Sequence, residues 1–452
     1  MKMENLKIAV TVVILLTGGL ATALVGTPSV SSSEGHEGTI IDFGNMETVW
    51  TAVDLSGYVS ARSVLEYACS CNGYALDFAS DGTVTRIDDT VSDGQHNWGL
   101  WVIEKGSTEW KVLPAPYDGV ILSDYTVSSW AYCNGDGTPA VAVDSTGRCI
   151  YGYGQADRTV SLSPSLTEMV ATVGATKTLV GTDSYSDYPQ EVVTMQRNGD
   201  ISIVGDYTTP SYEDILRVDP DIVLCDGSQY NHIRMAEKLR SSDREAFVLY
   251  DGESLDTIID NIFIIGKVLG YDIGASSKIS AILDAADSMV SILGSSAAAV
   301  KSDTMIALSP DISPYVSGGS TYAADILGMM YGQNVFSDWD GWTHINSEKI
   351  LERDPSVIII LTADYEATQA EYDDMVSSLS AEWKGTDAYK NGRIYLICGE
   401  AGEMAQRPGP RAAQLMELFG RILNPDVFDD ISIPRYIGDN YRDFLTYTIN
   451  LE

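Results

Sequence analysis

Tyr185 and Tyr188 stand close together in the stretch GTDSYSDYPQE, with Asp187 and Pro189 beside them, directly after an apolar run that reads as a strand. Tyr207, Tyr315, Trp339 and Trp342 likewise sit in loops expected to follow strands. An isolated loop aromatic usually packs locally. Several drawn from both halves of a chain can instead wall a cleft, because ring faces gain by stacking while hydroxyl and indole NH groups keep their hydrogen bonds. The chemistry they offer is binding. Catalytic material is sparse: His36, His96, His232 and His344 are scattered, and no HExxH, Walker A loop, GxSxG elbow or complete GxGxxG occurs. His344, close to Trp342, reads as an ordinary polar residue rather than a metal ligand. Carboxylates are so abundant that finding two together says nothing. No catalytic residue, metal site or cofactor is expected.

The elements that must position these rings show in a repeat. EDILRVDPDIVL (213–224) and EKILERDPSVII (348–359) share Glu, Ile, Leu, Asp and Pro at identical offsets. Each reads as a short helix, a break at Pro220 or Pro355, then a β-branched strand. Two similar α/β lobes follow. The first opens with RTVSLSPSLTEMVATVGATKTLVG, a strand passing into a helix near Ser163 to Thr167 that Gly174 can end. The second opens with SDTMIALSPDISPYVSGGSTYAADILGMM, again strand, loop and helix, with Gly328 near its end. Alternating strands and helices imply mainly parallel sheets covered on both faces, and ligands of such sheets bind at the strand carboxyl ends. Between the lobes, Ile279, Ile282, Leu283, Ala286, Met289, Val290 and Leu293 form one stripe of a long amphipathic helix. At about 1.5 Å per residue such a helix spans roughly 30 Å, enough to bridge two lobes.

A chain of 452 residues allows several separate cores. Its 44% apolar content is globular. Acids outnumber bases by 64 to 28, a net charge of -36, which repels phosphate backbones and argues against nucleic-acid binding. Lys2 and Lys7 precede an uncharged run from Ile8 to Val25, followed by the Ser/Gly-rich TPSVSSSEGHEG. That is an export signal, and both cleavage after Ala21-Thr22-Ala23 and retention as an anchor fit it. No cysteine follows the run, which argues against a lipid anchor there. In an exported protein Cys69, Cys71, Cys133 and Cys149 have one or two disulfides open to them, while Cys225 and Cys398 end apolar runs and read as buried thiols. The resulting plan is an export segment and linker at 1–38, a small α+β domain at 39–153, a first lobe at 154–273, a connecting helix at 274–300 and a second lobe at 301–452.

From about 157 to 428 the chain resembles the substrate-binding proteins of ABC transporters whose two lobes are joined by one helix and which carry cobalamin, haem or ferric siderophores. The stretches SLSPSLTEMVATVGA, GTDSYSDYPQE, YEDILRVDPDIVL, WTHINSEKILERDPSVII, and KNGRIYLI followed by RPGPR carry the resemblance, which is greatest to the cobalamin-binding branch. It implies a fold of two Rossmann-like lobes, with Tyr185 and Tyr188 as the wall on which a corrin lies. Tyr315 and Trp342 match aromatic positions of the second lobe, and Arg407, in RPGPR, matches an arginine that reaches polar groups of the ligand. Tyr207 stands where that branch uses tryptophan and Gln406 where it has an acid, departures that leave another corrinoid, haem or a siderophore open. Glu213 and Glu348, leading the two repeats, match the glutamates that dock on permease arginines; symmetric carboxylates suit symmetric guanidiniums, and each also suits a helix N-terminus.

Residues 60 to 133 resemble the small C-terminal domain of transcobalamin-like proteins through SARSVLEYA, DGTVTRIDD, NWGLWVIEKG and SSWAYC. The expectation is therefore a monomeric, extracytoplasmic protein, secreted or tethered, that captures a cobalamin-like ligand for an ABC permease. Haem and ferric siderophores are the alternative ligands. A cell-surface adhesion protein, and after it an exported hydrolase, are alternatives of another class.

Overall fold

The two repeats fold alike. In the computed structural model, which describes residues 37–451 apart from 45, 46, 135, 136, 363, 364 and 366, each repeat forms a short helix, Tyr212–Arg217 or Ser347–Arg353, and then a fully buried strand, Ile222–Asp226 or Val357–Leu361. The residue before each proline, Asp219 and Asp354, takes a left-handed backbone at φ 44° and 42°. Aspartate tolerates that conformation better than most side chains, and the proline then prevents the helix from continuing. The Ile8–Val25 run and His36 lie outside the described residues.

In the first lobe five parallel strands lie in the order Ser202–Ile203, Leu179–Thr182, Thr159–Ser161, Ile222–Asp226 and Glu245–Leu249. In the second, Ser302–Ala307, Val357–Leu361, Ile394–Ile397 and Tyr436–Ile437 run parallel, and Gly332–Asn334 also lies beside Ser302–Ala307. Two short antiparallel strands, Tyr315–Ser317 and Trp342–His344, complete that sheet. Tyr315 and Trp342 therefore belong to strands and not to loops, because Val316 and Thr343 alternate with them in a pleated ribbon. The first helix begins at Pro164 and ends before Gly174, which has φ +87°. The equivalent helix of the second lobe runs from Tyr322 through Gly328 to Met329, and the left-handed turn after it is made by Tyr331, at φ 67°.

Helix Asp272–Ser295 joins the lobes. Ala275, Ile279, Ile282, Ala286, Met289 and Leu293 are buried along it, whereas Leu283 and Val290 flank the stripe at 37% and 38% exposure. Its buried face shares one continuous core with helices Leu255–Leu269 and Ala412–Leu423. The lobes are thus packed through a common apolar layer and not merely strung on a linker.

Ahead of them, an open sheet in the order Glu47–Ala52, Gly38–Gly44, Tyr125–Asn134, His96–Glu104 and Trp110–Leu113 packs against helix Ala61–Asn72. That helix is held by a Ser60/Ser63 capping box and ended by Gly73 at φ 73°. The segment from Ala142 to Tyr151, grouped with this domain by composition, enters the core of the first lobe. Buried Asp144 explains the attachment: it accepts the Val248 amide at 2.9 Å and pairs with Arg240 at 2.7 Å. Trp50 stacks on Tyr151 with ring centres 5.1 Å apart, fixing the domain against the lobe. Of the one or two disulfides open to Cys69, Cys71, Cys133 and Cys149 none is present, and all six cysteines are free thiols. Cys69 and Cys149 sit in different cores, so folding keeps them apart.

Candidate ligand cleft between the lobes

The turn after strand Leu179–Thr182 folds around Asp183, whose carboxylate is 1% exposed. Asp183 accepts the Tyr185 amide at 2.8 Å and the Ser186 hydroxyl, and burial pushes its pKa up against those bonds. Thr167 Oγ1 meets Ser186 Oγ at 2.8 Å, and Gln196 donates to the Ser186 carbonyl at 2.7 Å. The turn satisfies its own polar groups, so the Tyr185 ring is free to stand 56% exposed. A large ring this open is available for stacking.

Tyr207 comes from the next loop. His232, fully buried, supports it: Nδ1 accepts the Asp226 amide at 3.0 Å and Nε2 donates to the Tyr207 carbonyl at 2.6 Å. With both nitrogens so used the ring is neutral, and burial holds its pKa below the usual value. The Tyr207 hydroxyl reaches Asp226 Oδ2 at 3.4 Å, and burial, reinforced by that carboxylate, pushes it up to about 12. His232 is a support for a tyrosine.

These side chains open onto a cavity of about 250 Å³ between the lobes. Tyr185, Tyr207, Asp226 and Asp251 line it from the first lobe; Gln406, Arg407 and Pro408 close it from the second. Asp226 and Asp251 were not singled out by sequence reading, although the matching LCDGS and LYDGE, each ending a strand in Asp-Gly, carry the signal. Gly252 is required where the lobes meet: at φ +72° it lies so close to Pro408 that an added Cβ would fall 2.7 Å from the proline ring. The volume is below the roughly 300–1,000 Å³ of a drug-sized ligand site. The cavity alone is too small to enclose a broad ligand.

The remaining candidates are distributed differently. Arg407 lines the cavity while its guanidinium bridges Asp187 at 2.6 Å and Glu403 at 3.5 Å. Tyr188 turns away from Tyr185 and lines a separate hollow of about 130 Å³, its ring 4.1 Å from the Arg411 guanidinium carbon. Tyr315 and Trp342 do not line the cavity. Tyr315, 51% exposed, leans on His344 at 5.1 Å between ring centres, and half-buried Trp342 packs against the shared core. Trp339 meets Phe336 edge-on at 5.5 Å. The cleft wall is thus aromatic on the first lobe and polar on the second.

Glu213 and Glu348 are both exposed, each in the first turn of its helix. Helices antiparallel to their strands begin where strands end, so both carboxylates lie on the same end of the molecule as the cleft. Among the described residues no group of three or more His, Cys, Asp or Glu side chains is gathered for a metal ion, and no helix is long and apolar enough to cross a membrane.

Comparison with known proteins agrees with this geometry. The chain is 25% identical over 276 residues to an uncharacterized ABC transporter substrate-binding lipoprotein of Bacillus subtilis, covering 60% of this chain and 81% of that one. It is 25% identical over 217 residues to the vitamin B12-binding protein of Pectobacterium carotovorum, covering 47% of this chain and 74% of the relative. A periplasmic heme-binding protein of Pseudomonas aeruginosa shares the fold at 20% identity and TM-score 0.50, over 60% of this chain and 93% of that one. Residues 159–401 match the family described as periplasmic binding protein. The chain belongs to the periplasmic binding protein family, extracytoplasmic proteins that bind a small solute for an ABC importer and catalyse no reaction.

Proposed function

We propose that this protein captures a cobalamin-like corrinoid between its lobes and presents it to an ABC permease through Glu213 and Glu348. The observation that carries the reading is the interlobe cavity at the strand carboxyl ends, walled by exposed Tyr185 and by Tyr207. A flat, partly apolar ring system laid on Tyr185 would bury one face there, with Arg407 and Gln406 answering polar substituents at its edge. The vitamin B12-binding relative supports the corrinoid reading. The protein works as a monomer outside the cytoplasm, with the Ile8–Val25 segment serving export or tethering. The domain from residue 39 onward, packed on the first lobe through Trp50 and Tyr151, would add a second surface near the ligand or assemble the protein at the cell surface.

The small cavity favours a second reading, in which a haem or a ferric siderophore is the cargo. One experiment separates the readings. The purified protein is incubated with cobalamin, cobinamide, haem or a ferric siderophore and desalted, and the colour that stays with it is recorded. Retention of a corrinoid supports the proposal, and haem or siderophore alone replaces it with the second reading. Retention of nothing points to a surface adhesion role.

A further inference from the structure

Arg393 and Arg435 line a groove of about 790 Å³ at the end of the second lobe opposite the cleft. The position follows from topology: Ser302 and Arg393, at the rim, stand at the start of their strands, and Leu423 ends its helix. Arg435 sits over the Tyr395 ring, its guanidinium carbon 4.4 Å from the ring centre. Arg393 donates to the carbonyls of Ile422 and Leu423 at 3.1 and 3.3 Å. Neither forms an ion pair among the described residues, in a chain where acids outnumber bases by 64 to 28. Other half-buried or buried arginines are claimed: Arg148 by Glu245, Arg240 by Asp144, Arg411 by Glu168. Arg421, beneath the same groove, is held by Glu417 and Asp430. Asp426 and Asp429 also line the groove, and Asp426 attracts Arg393, yet burial works against both guanidinium charges and Arg393 repels that of Arg435.

Two like charges kept together and partly dehydrated are costly unless an anion joins them. A guanidinium presents paired donors that fit two oxygens of one carboxylate or phosphate. Val300, Ile431 and Ile433 add an apolar wall against which a short hydrocarbon can lie. The net charge of -36 disfavours anions over the surface in general, so an anion held here is held by local chemistry. We propose that this groove is a second binding site, taking a small dianion, a dicarboxylate or a phosphate, across Arg393 and Arg435. It lies away from the cleft, so it stands whichever cargo the cleft carries.

The test titrates the full chain at low ionic strength with succinate and with inorganic phosphate, reading heat and thermal midpoint, with sodium chloride at matched ionic strength as control. Saturable binding that raises the midpoint is expected from at least one anion. Succinate alone marks a dicarboxylate site, and phosphate alone a phosphoryl site. Arg435→Gln should weaken binding by about tenfold or more, the loss of one charge-assisted contact, without changing colour retention in the cleft. If that variant fails to fold, Arg435→Lys, which keeps the charge and loses the fork, should weaken binding in the same direction. No saturable heat with either anion, or unchanged affinity in the substituted protein, overturns the proposal.

Discussion

Arg411 of the second lobe donates two hydrogen bonds to Glu168 of the first, at 2.9 Å to Oε2 and 2.7 Å to Oε1, with the two side chains only 6% and 2% exposed. Tyr188 covers the guanidinium, and its hydroxyl accepts from Arg442 at 3.4 Å. With the shared core behind them, these contacts oppose any wide opening of the lobes. Removing one member strands a buried charge, whereas removing both does not. Glu168→Gln should therefore cost about 3–5 kcal/mol in urea unfolding, and the double change Glu168→Leu with Arg411→Met should recover most of it. Equal losses for single and double variants would contradict a coupled pair.

Tyr185 and Tyr188 are expected to behave differently despite their proximity in sequence. Tyr185→Ala removes an exposed ring of the cleft wall, and its effect should appear as weaker ligand retention, by roughly 0.5–1.5 kcal/mol beyond lost area, with the thermal midpoint almost unchanged. Tyr188→Ala uncovers the Arg411–Glu168 pair and should lower the midpoint while largely sparing retention. Equilibrium dialysis and thermal unfolding of both variants check the contrast.

Glu213→Gln and Glu348→Gln remove charge from exposed positions that do not line the ligand cavity. Each should leave ligand retention and stability within about 0.5 kcal/mol of the parent. Uptake through a reconstituted permease should fall for each and fall further for the pair. Unimpaired uptake by the double variant would remove the docking role.

His232 predicts one arm of the pH dependence. Folded, the ring stays neutral because burial depresses its pKa and both nitrogens are hydrogen-bonded. The unfolded chain takes up a proton as pH falls through about 6.5, so the unfolded state binds more protons there. Stability from this residue is full above about 6.5 and is lost as pH falls below it. In urea titrations at pH 7.5 and 5.5, His232→Gln should lose less stability between the two values than the parent.

Asp260 acts with the opposite sign. It lines a cavity of about 300 Å³ with Asp42, between the N-terminal domain and helix Leu255–Leu269. Burial, and after it the charge of Asp256, raises its pKa to about 7. Between about 4, the unfolded value, and 7 the folded protein holds the extra proton, so stability falls as pH rises through that window. Asp260→Asn should be more stable than the parent at pH 8 and indistinguishable from it at pH 4.

How far the sequence reaches is clearest in the repeat. Glu, Ile, Leu, Asp and Pro at matching offsets place a helix, a break and a buried strand in each half, and each of the two strands is flanked by a neighbour on both sides in its sheet. Such information is local: proline forbids helix, β-branched runs prefer strand, and one apolar stripe marks the connecting helix. The family resemblance named the positions of the cleft, and Tyr185, Tyr207 and Arg407 do line one cavity. Composition could not show that the segment around Asp144 belongs to the first lobe, because that rests on a pairing with Arg240 far along the chain.

The direction in which each ring points was decided only by tertiary structure. Tyr185 faces solvent because Asp183 and Ser186 turn the backbone there; Tyr188, so near in sequence, faces Arg411, a residue more than two hundred positions away. Tyr315 and Trp342 left the cavity wall to Gln406, Arg407 and Pro408 because a pleated ribbon sets its side chains by alternation and not by their affinity for a ligand. Residue type and spacing dictate which element forms. Which faces meet is set by packing and ion pairs between distant segments, a property of the assembled core that no short stretch contains.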